Sequence, residues 1–231
     1  MKKVLIRVVF LVLGLFTVID GVCQKRLRMF ERNRFHKDKL NVISLYPVGV
    51  LNILDPSLQI GYDRKVRENV VIQISGGIIL PHSIFGFVGL LPNKDYYRFS
   101  GYKIMGETKY ILAETISGRH NLFCSVEAFY KNERNEVNGS ASPGPSELTY
   151  TDYFTVHKEV VGVGLKFGMQ FMFGRMIMEF NSGVGLRHNN ITQTNRDNPE
   201  DRLNETPNHI HRKGKYYRLY LPLHYKIGYR F

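Results

Sequence analysis

Tryptophan is absent from the 231 residues, and there are only two cysteines, Cys23 and Cys124. Cys23 closes an apolar leader, so the mature chain is left with one thiol and no intramolecular disulfide framework. Cys124 sits within an apolar alternation and reads as a small hydrophobe. Past the leader there is no apolar run long enough to cross a membrane as a helix. That argues against a helical membrane protein but not against a β-barrel, whose strands need only every second residue to be apolar. Acidic residues are also scarce, 20 against 32 Lys and Arg, for a formal net charge of +12. Such an excess can mark phosphate contacts to nucleic acid. Here most cations stand singly between apolar residues, and only residues 24–40 form a cluster. Nucleic acid is therefore not an expected partner, whereas acidic lipid headgroups are.

Among what is present, the leader comes first. Lys2, Lys3 and Arg7 give a positive start, Val8 to Ile19 an apolar stretch, and Gly21-Val22-Cys23 a small-x-small end. This is the pattern of a secretory signal over residues 1–23. Asp20-Gly21-Val22 is a poor match to the sequence that precedes a lipid-bearing cysteine. Residues 24–40, QKRLRMFERNRFHKDKL, form a basic segment expected on the periplasmic side. The folded domain is expected over 41–231.

That domain repeats one pattern, apolar and polar residues in alternation, which is the signature of strands. The segments are Asn41–Asn52, Ser57–Val66, Val70–Leu80, Phe99–Leu112, Asn121–Asn132, Tyr150–Phe173, Arg175–His188 and Lys215–Phe231. In the last, Tyr217, Leu219, Leu221, Leu223, Tyr225, Ile227, Tyr229 and Phe231 share one face; Arg218, Tyr220, Pro222, His224, Lys226, Gly228 and Arg230 share the other. Tight turns are expected near Arg67-Glu68, Ser117-Gly118 and Gly174, and long connections over 81–98, 133–149 and 189–214. Short turns alternating with long loops predict an antiparallel up-and-down transmembrane barrel of eight strands with both chain ends in the periplasm. Closure removes sheet edges that lipid would not tolerate. A secreted lipocalin-like barrel has the same strand number with its faces inverted. The two differ in which face carries the ions. Lys166, Glu179, Arg218 and Lys226 share faces with Gly162, Gly164, Gly183 and Gly228, small residues suited to a crowded interior. The opposite faces are ion-poor, which puts lipid outside.

The ending Tyr225, Ile227, Tyr229, Phe231 resembles the closing strand and assembly signal of bacterial outer-membrane barrels. With the leader and the alternation, residues 41–231 resemble the small OmpA/OmpX-like barrels, in the stand-alone form found in Bacteroidetes-like bacteria. The resemblance implies insertion by the outer-membrane assembly machinery, contact with outer-membrane lipids and lipopolysaccharide, and a structural or loop-binding role without catalysis.

Three constellations could carry chemistry. The inward ions Asp63, Glu107, Glu127 and Glu179 against Lys109, Lys166, Arg218 and Lys226 predict a polar network that plugs the lumen, with an ion path as the alternative. Lipid A deacylases of similar size use a His-x-Ser pair. His188 could be the base of such an enzyme, but Asn190 stands where the serine is needed, and Thr192 is the nearest other hydroxyl. His209-Ile210-His211 with His224 is weak as a metal set, and no metal or cofactor is expected. The sequons at Asn138, Asn190 and Asn204 are assigned no role. Loop 189–214, polar and rich in Asn, Asp and Pro, is the expected place for a surface ligand.

Overall fold

The computed structural model describes residues 41–47, 57–80, 97–114, 119–142, 150–197, 202–203 and 213–231. They form β1 (Asn41–Leu45), β2 (Ser57–Arg67), β3 (Val70–Ile79), β4 (Tyr97–Glu114), β5 (His120–Ser142), β6 (Tyr150–Phe173), β7 (Met176–Thr194), β8 (Arg202–Leu203), β9 (Gly214–Tyr220) and β10 (Leu223–Arg230). Every pairing is antiparallel, each of β1 to β7 lying beside its sequence neighbours. The sheet closes where β10 pairs with β1, Val42 opposite Arg230 and Leu45 opposite Ile227. The result is an all-β ring of eight strands, β9 and β10 together making the last.

The closing strand is expected as one segment, and the structure interrupts it at Leu221-Pro222. Proline has no N–H for the ladder, so regular pairing lapses there. The register survives, since Tyr220 faces Gly185 and Leu223 faces Ser182 with two residues between on each side. The Pro222 carbonyl accepts a hydrogen bond from the Gly183 N–H at 3.1 Å. The inward and outward faces therefore continue unbroken from Gly214 to Phe231.

Two further expectations are corrected. The connections after β5 and β7 begin later than their alternation suggests, because β5 runs on to Ser142 and β7 to Thr194. The outward residues of these extensions, Arg134, Glu136 and Thr192, are polar, so apolar contrast between the faces disappears while the ladder persists. The first strand, in turn, is short, ending at Leu45 ahead of a turn at Pro47. Turns fall as expected after Arg67 and at Gly174, whose φ of 63° suits glycine. The Ser117-Gly118 turn, like residues 1–40, lies outside the described residues.

The faces are unambiguous. Phe167 is 67% exposed and Leu223 73%, whereas Lys109 and Lys226 are 1% exposed. A water-soluble barrel would have the reverse, so the lipocalin-like alternative is set aside. The outward set of β6, Val161 to Phe173, covers roughly 30 Å at ~3.3 Å rise and ~40° tilt, the thickness of a bilayer's hydrocarbon core. Beyond it the walls are unequal. β2 and β3 have 11 and 10 residues, while β5 and β6 have 23 and 24. A strand crosses a membrane in about 9–11 residues, so β4 to β7 project past the apolar belt at the end opposite Asn41 and Phe231.

Candidate functional site: the lumen

Because β6 lines the interior from end to end, its inward residues give an axis for the lumen. Nearest the hairpin turns, Met172 packs with Val42 and Ile177. Above this small apolar floor lies the network expected from sequence. Lys109 donates to Glu179 at 2.8 Å and to Asp63 at 3.3 Å. Lys226 joins the same two carboxylates, at 2.5 Å from Asp63 and 3.0 Å from Glu179, and reaches Gln73 at 2.9 Å. Asn181 and Gln170 also donate to Glu179, at 3.1 and 3.4 Å. One level higher, Lys166 bridges Glu107 and Glu127, both at 2.8 Å, with His224 Nδ1 3.4 Å from its ammonium and 3.8 Å from Glu127.

The structure thus brings together Asp63, Glu107, Lys109, Glu127, Lys166, Glu179 and Lys226, none more than 3% exposed. Three lysines face four carboxylates, and each lysine touches at least two of them. Ions withdrawn from water need this kind of multiple pairing to be tolerated at all. Glycine makes the packing possible. At Gly168 a Cβ would come within 2.5 Å of the Phe123 ring.

Arg218, expected in the same network, is not part of it. It faces inward but stands higher, half-buried, its guanidinium 4.6 Å from the centre of the Tyr216 ring. What separates it from the lower ions is an apolar layer of Tyr46, Met105, Phe129 and Val160, with Tyr220 packed against it. The Phe129 and Tyr220 rings are 4.8 Å apart. Phe129 lies over Gly162, where any Cβ would run into its ring.

Past this layer the inward faces of β4 to β7 and β9 are again polar, and their charge is different. Lys103, Lys131, Lys158, Arg187 and Arg218 point in, with Arg196 reaching in beside them, against Glu133 and Asp152. Glu133 lies 2.5 Å from Lys131 and 3.7 Å from Lys158, and Asp152 takes Arg196 at 3.1 Å. A last apolar group, Phe154, Val156 and Ile191 with Tyr216, lines the projecting wall. Apart from Arg218, alternation in the sequence does not single these residues out as a site. Glu133 falls where the pattern predicts the start of a loop, and only the ladder reveals it as the inward residue after Lys131.

His188 and the terminal signal lie elsewhere. His188 faces outward, its ring 5.0 Å from that of Tyr217. Asn190 donates to Glu159 at 3.0 Å, and Thr192 is four residues along the same face, about 13 Å at strand rise. Tyr225, Ile227, Tyr229 and Phe231 form the outward face of β10 at the seam, where the Phe231 N–H bonds the Asn41 carbonyl at 3.1 Å. Tyr225 stacks on Phe180 with centroids 4.4 Å apart, and Arg175 donates to the Tyr229 hydroxyl at 3.1 Å. Of loop 189–214, the first residues belong to β7 and the last to β9; Arg202–Leu203 pairs with the tip of β5. Among the described residues no cluster of His, Cys, Asp and Glu could hold a metal ion; His209 and His211 lie outside them.

No family model matches the chain, and no curated protein matches it. Among solved structures, it is similar to a major outer membrane protein from Thermus thermophilus, with a TM-score of 0.44 and 10% identity over 84% of this chain and 98% of that one. Likeness at that level indicates neither family nor function.

Proposed function

We propose that this chain is an integral bacterial outer-membrane barrel of the small OmpA/OmpX-like kind. In this reading it is exported by the signal over 1–23, has both ends in the periplasm, and acts by structure and binding without catalysis. The observation that carries it is the inversion of faces: a continuous apolar exterior around an interior of paired ions. An exposed apolar band of this extent is unstable in water and stable in lipid. The plugged lower lumen argues against a substrate pore, because its side chains fill the cross-section of so narrow a barrel. In this reading the projecting walls of β4 to β7 and the 189–214 connection carry the binding function at the cell surface, held up by a rigid base. Outer-membrane lipids and lipopolysaccharide surround the belt, and the assembly machinery reads the last strand through Tyr225, Ile227, Tyr229 and Phe231. The 24–40 segment adds a basic periplasmic tail.

The test is fractionation of cells expressing the full chain, with folding read by heat-dependent gel mobility. The protein is expected in the outer membrane, running compactly until boiled. Recovery as a soluble periplasmic protein would end this reading. A companion variant with residues 195–213 shortened should remain folded there and lose capture of any surface ligand.

A further inference from the structure

At the end of the barrel that holds Asn41 and Phe231, the outward face of β2 stops being apolar. Leu58, Ile60 and Tyr62 lie in the belt, and Arg64 follows them on the same face, opposite Asn41 on β1 and Ile72 on β3. The register then shifts between Lys65 and Arg67, so that Val66 is an extra residue and Arg67 comes opposite Val70. Val70 in turn lies opposite Tyr110, on the outward side of β4. The bulge thus turns a second guanidinium to the side of Arg64, where strict alternation would have pointed it inward. Both arginines are exposed, and beside them Tyr62, Val66 and Ile72 are 41%, 56% and 42% exposed.

The chain supplies these two cations with no counter-charge. Among the described residues, neither Arg64 nor Arg67 makes an ion pair or a side-chain hydrogen bond. The acids of this end are placed differently. Glu114 is opposite the inward Asn121 and is acted on by Lys65, itself on the inward side opposite Val71. Glu68 lies in the β2–β3 turn and has an interaction of its own. Outside the described residues, 115–118 is uncharged and 24–40 has seven Lys and Arg against two acids. The strand ends joined by the other undescribed segments are at the opposite end of the barrel. Tyrosines mark the level as the edge of the belt. The Tyr62 hydroxyl donates to Asn41 Oδ1 at 2.9 Å, and across the seam the Tyr229 hydroxyl accepts from Arg175.

We propose that the outward surface at Arg64 and Arg67 is a headgroup site for an anionic glycerophospholipid of the leaflet at this end. Basic residues at a membrane surface attract anionic headgroups, and a guanidinium presents two parallel donors that fit two phosphate oxygens. Three residues separate the arginines, about 10 Å at strand rise, a gap that two such long side chains close around one phosphate diester. The acyl chains run along Leu58, Ile60, Ile72 and Ile74, all outward and exposed. The inference rests on the reading that the apolar face meets lipid, and adds to it a choice of lipid.

The experiment uses the full mature chain lacking Cys124, folded into phosphatidylcholine vesicles that contain a minor share of brominated lipid, either phosphatidylglycerol or phosphatidylcholine. A fluorophore on Ile72→Cys reports the site, and one on Val163→Cys, outward on β6, reports the belt elsewhere. At Ile72 the brominated phosphatidylglycerol is expected to quench as if enriched at least threefold over the phosphatidylcholine, and less so as salt rises. At Val163 the two lipids should quench equally. Arg64→Gln together with Arg67→Gln should bring Ile72 to equality while the barrel keeps its compact gel mobility. Should the double variant fail to fold, either single substitution decides, with a partial loss of preference expected. No preference at Ile72, the same preference at Val163, or a preference untouched by the substitutions would overturn the proposal and leave the barrel in lipid. Quenching by neither lipid would remove the membrane reading and the proposal with it.

Discussion

The two halves of the lumen are built from the same kinds of residue and do opposite things with them. Below the Phe129–Tyr220 layer, three lysines and four carboxylates interlock, and every lysine is shared between acids. Above it, the inward side chains of the described residues include six cations and two acids, and two pairs of like charge face each other across the ladder. The difference follows from what surrounds each half. The lower half lies within the apolar belt, where a charge without a counter-charge would be severely penalised. The upper half lies within walls that outrun the belt, where solvent can reach Arg187 and Arg218. A ring of constant strand number therefore carries a closed base and a polar cup.

The largest effect should come from breaking the lower half. Lys166→Met leaves Glu107 and Glu127 buried with their shared cation gone, at a cost of about 3–5 kcal/mol. Urea unfolding in lipid vesicles, read by gel mobility, should show it. Next comes the boundary. Gly162→Val pushes into the Phe129 ring, and overpacking of this kind costs roughly 1–3 kcal/mol; combining it with Phe129→Ala should recover part of the loss. The upper half should respond in the other direction. Arg187→Gln removes one of two opposed guanidiniums, the one whose buried Nε has no acceptor, so stability should hold to within about 1 kcal/mol or rise. A loss as large as that of Lys166→Met would erase the distinction between the halves. The smallest effect is expected outside the lumen altogether: His188→Ala loses only a ring contact with Tyr217, shifts stability by about 0.5 kcal/mol, and leaves lipid A composition unchanged by mass spectrometry.

Most of the fold was legible because a membrane barrel writes its two faces into alternate residues. Wherever the outside is apolar, as at Val161 to Phe173, the strand and its orientation could be read directly, and the lower network followed from the inward positions. Legibility ended where the outside turned polar. Glu133, Asp152 and Asn189 belong to strand ends whose outward neighbours, such as Arg134, Thr151 and Asn190, are polar, so their inward placement is fixed only by pairing with a neighbour. Arg218 shows the same limit in another form. Its face was right, but its height relative to Lys226 depends on the distance between them along one strand and on the Phe129–Tyr220 layer, which no period reveals. The interruption at Pro222 was visible as a residue, yet its lack of effect on register required the ladder.

The measurement that bears most directly on the central claim is the depth and environment of single probes in a bilayer. Ile74→Cys, Leu165→Cys and Leu219→Cys, made in a chain without Cys23 and Cys124, would be labelled with an environment-sensitive fluorophore and the protein folded into lipid vesicles. All three residues are outward and largely exposed. Each probe should be quenched by brominated acyl chains and shielded from iodide, whereas a probe at Lys103 should be reached by iodide and not by lipid. Iodide quenching at Ile74 and Leu165 with no lipid quenching would mean that the apolar face does not meet the membrane, and the account would fail.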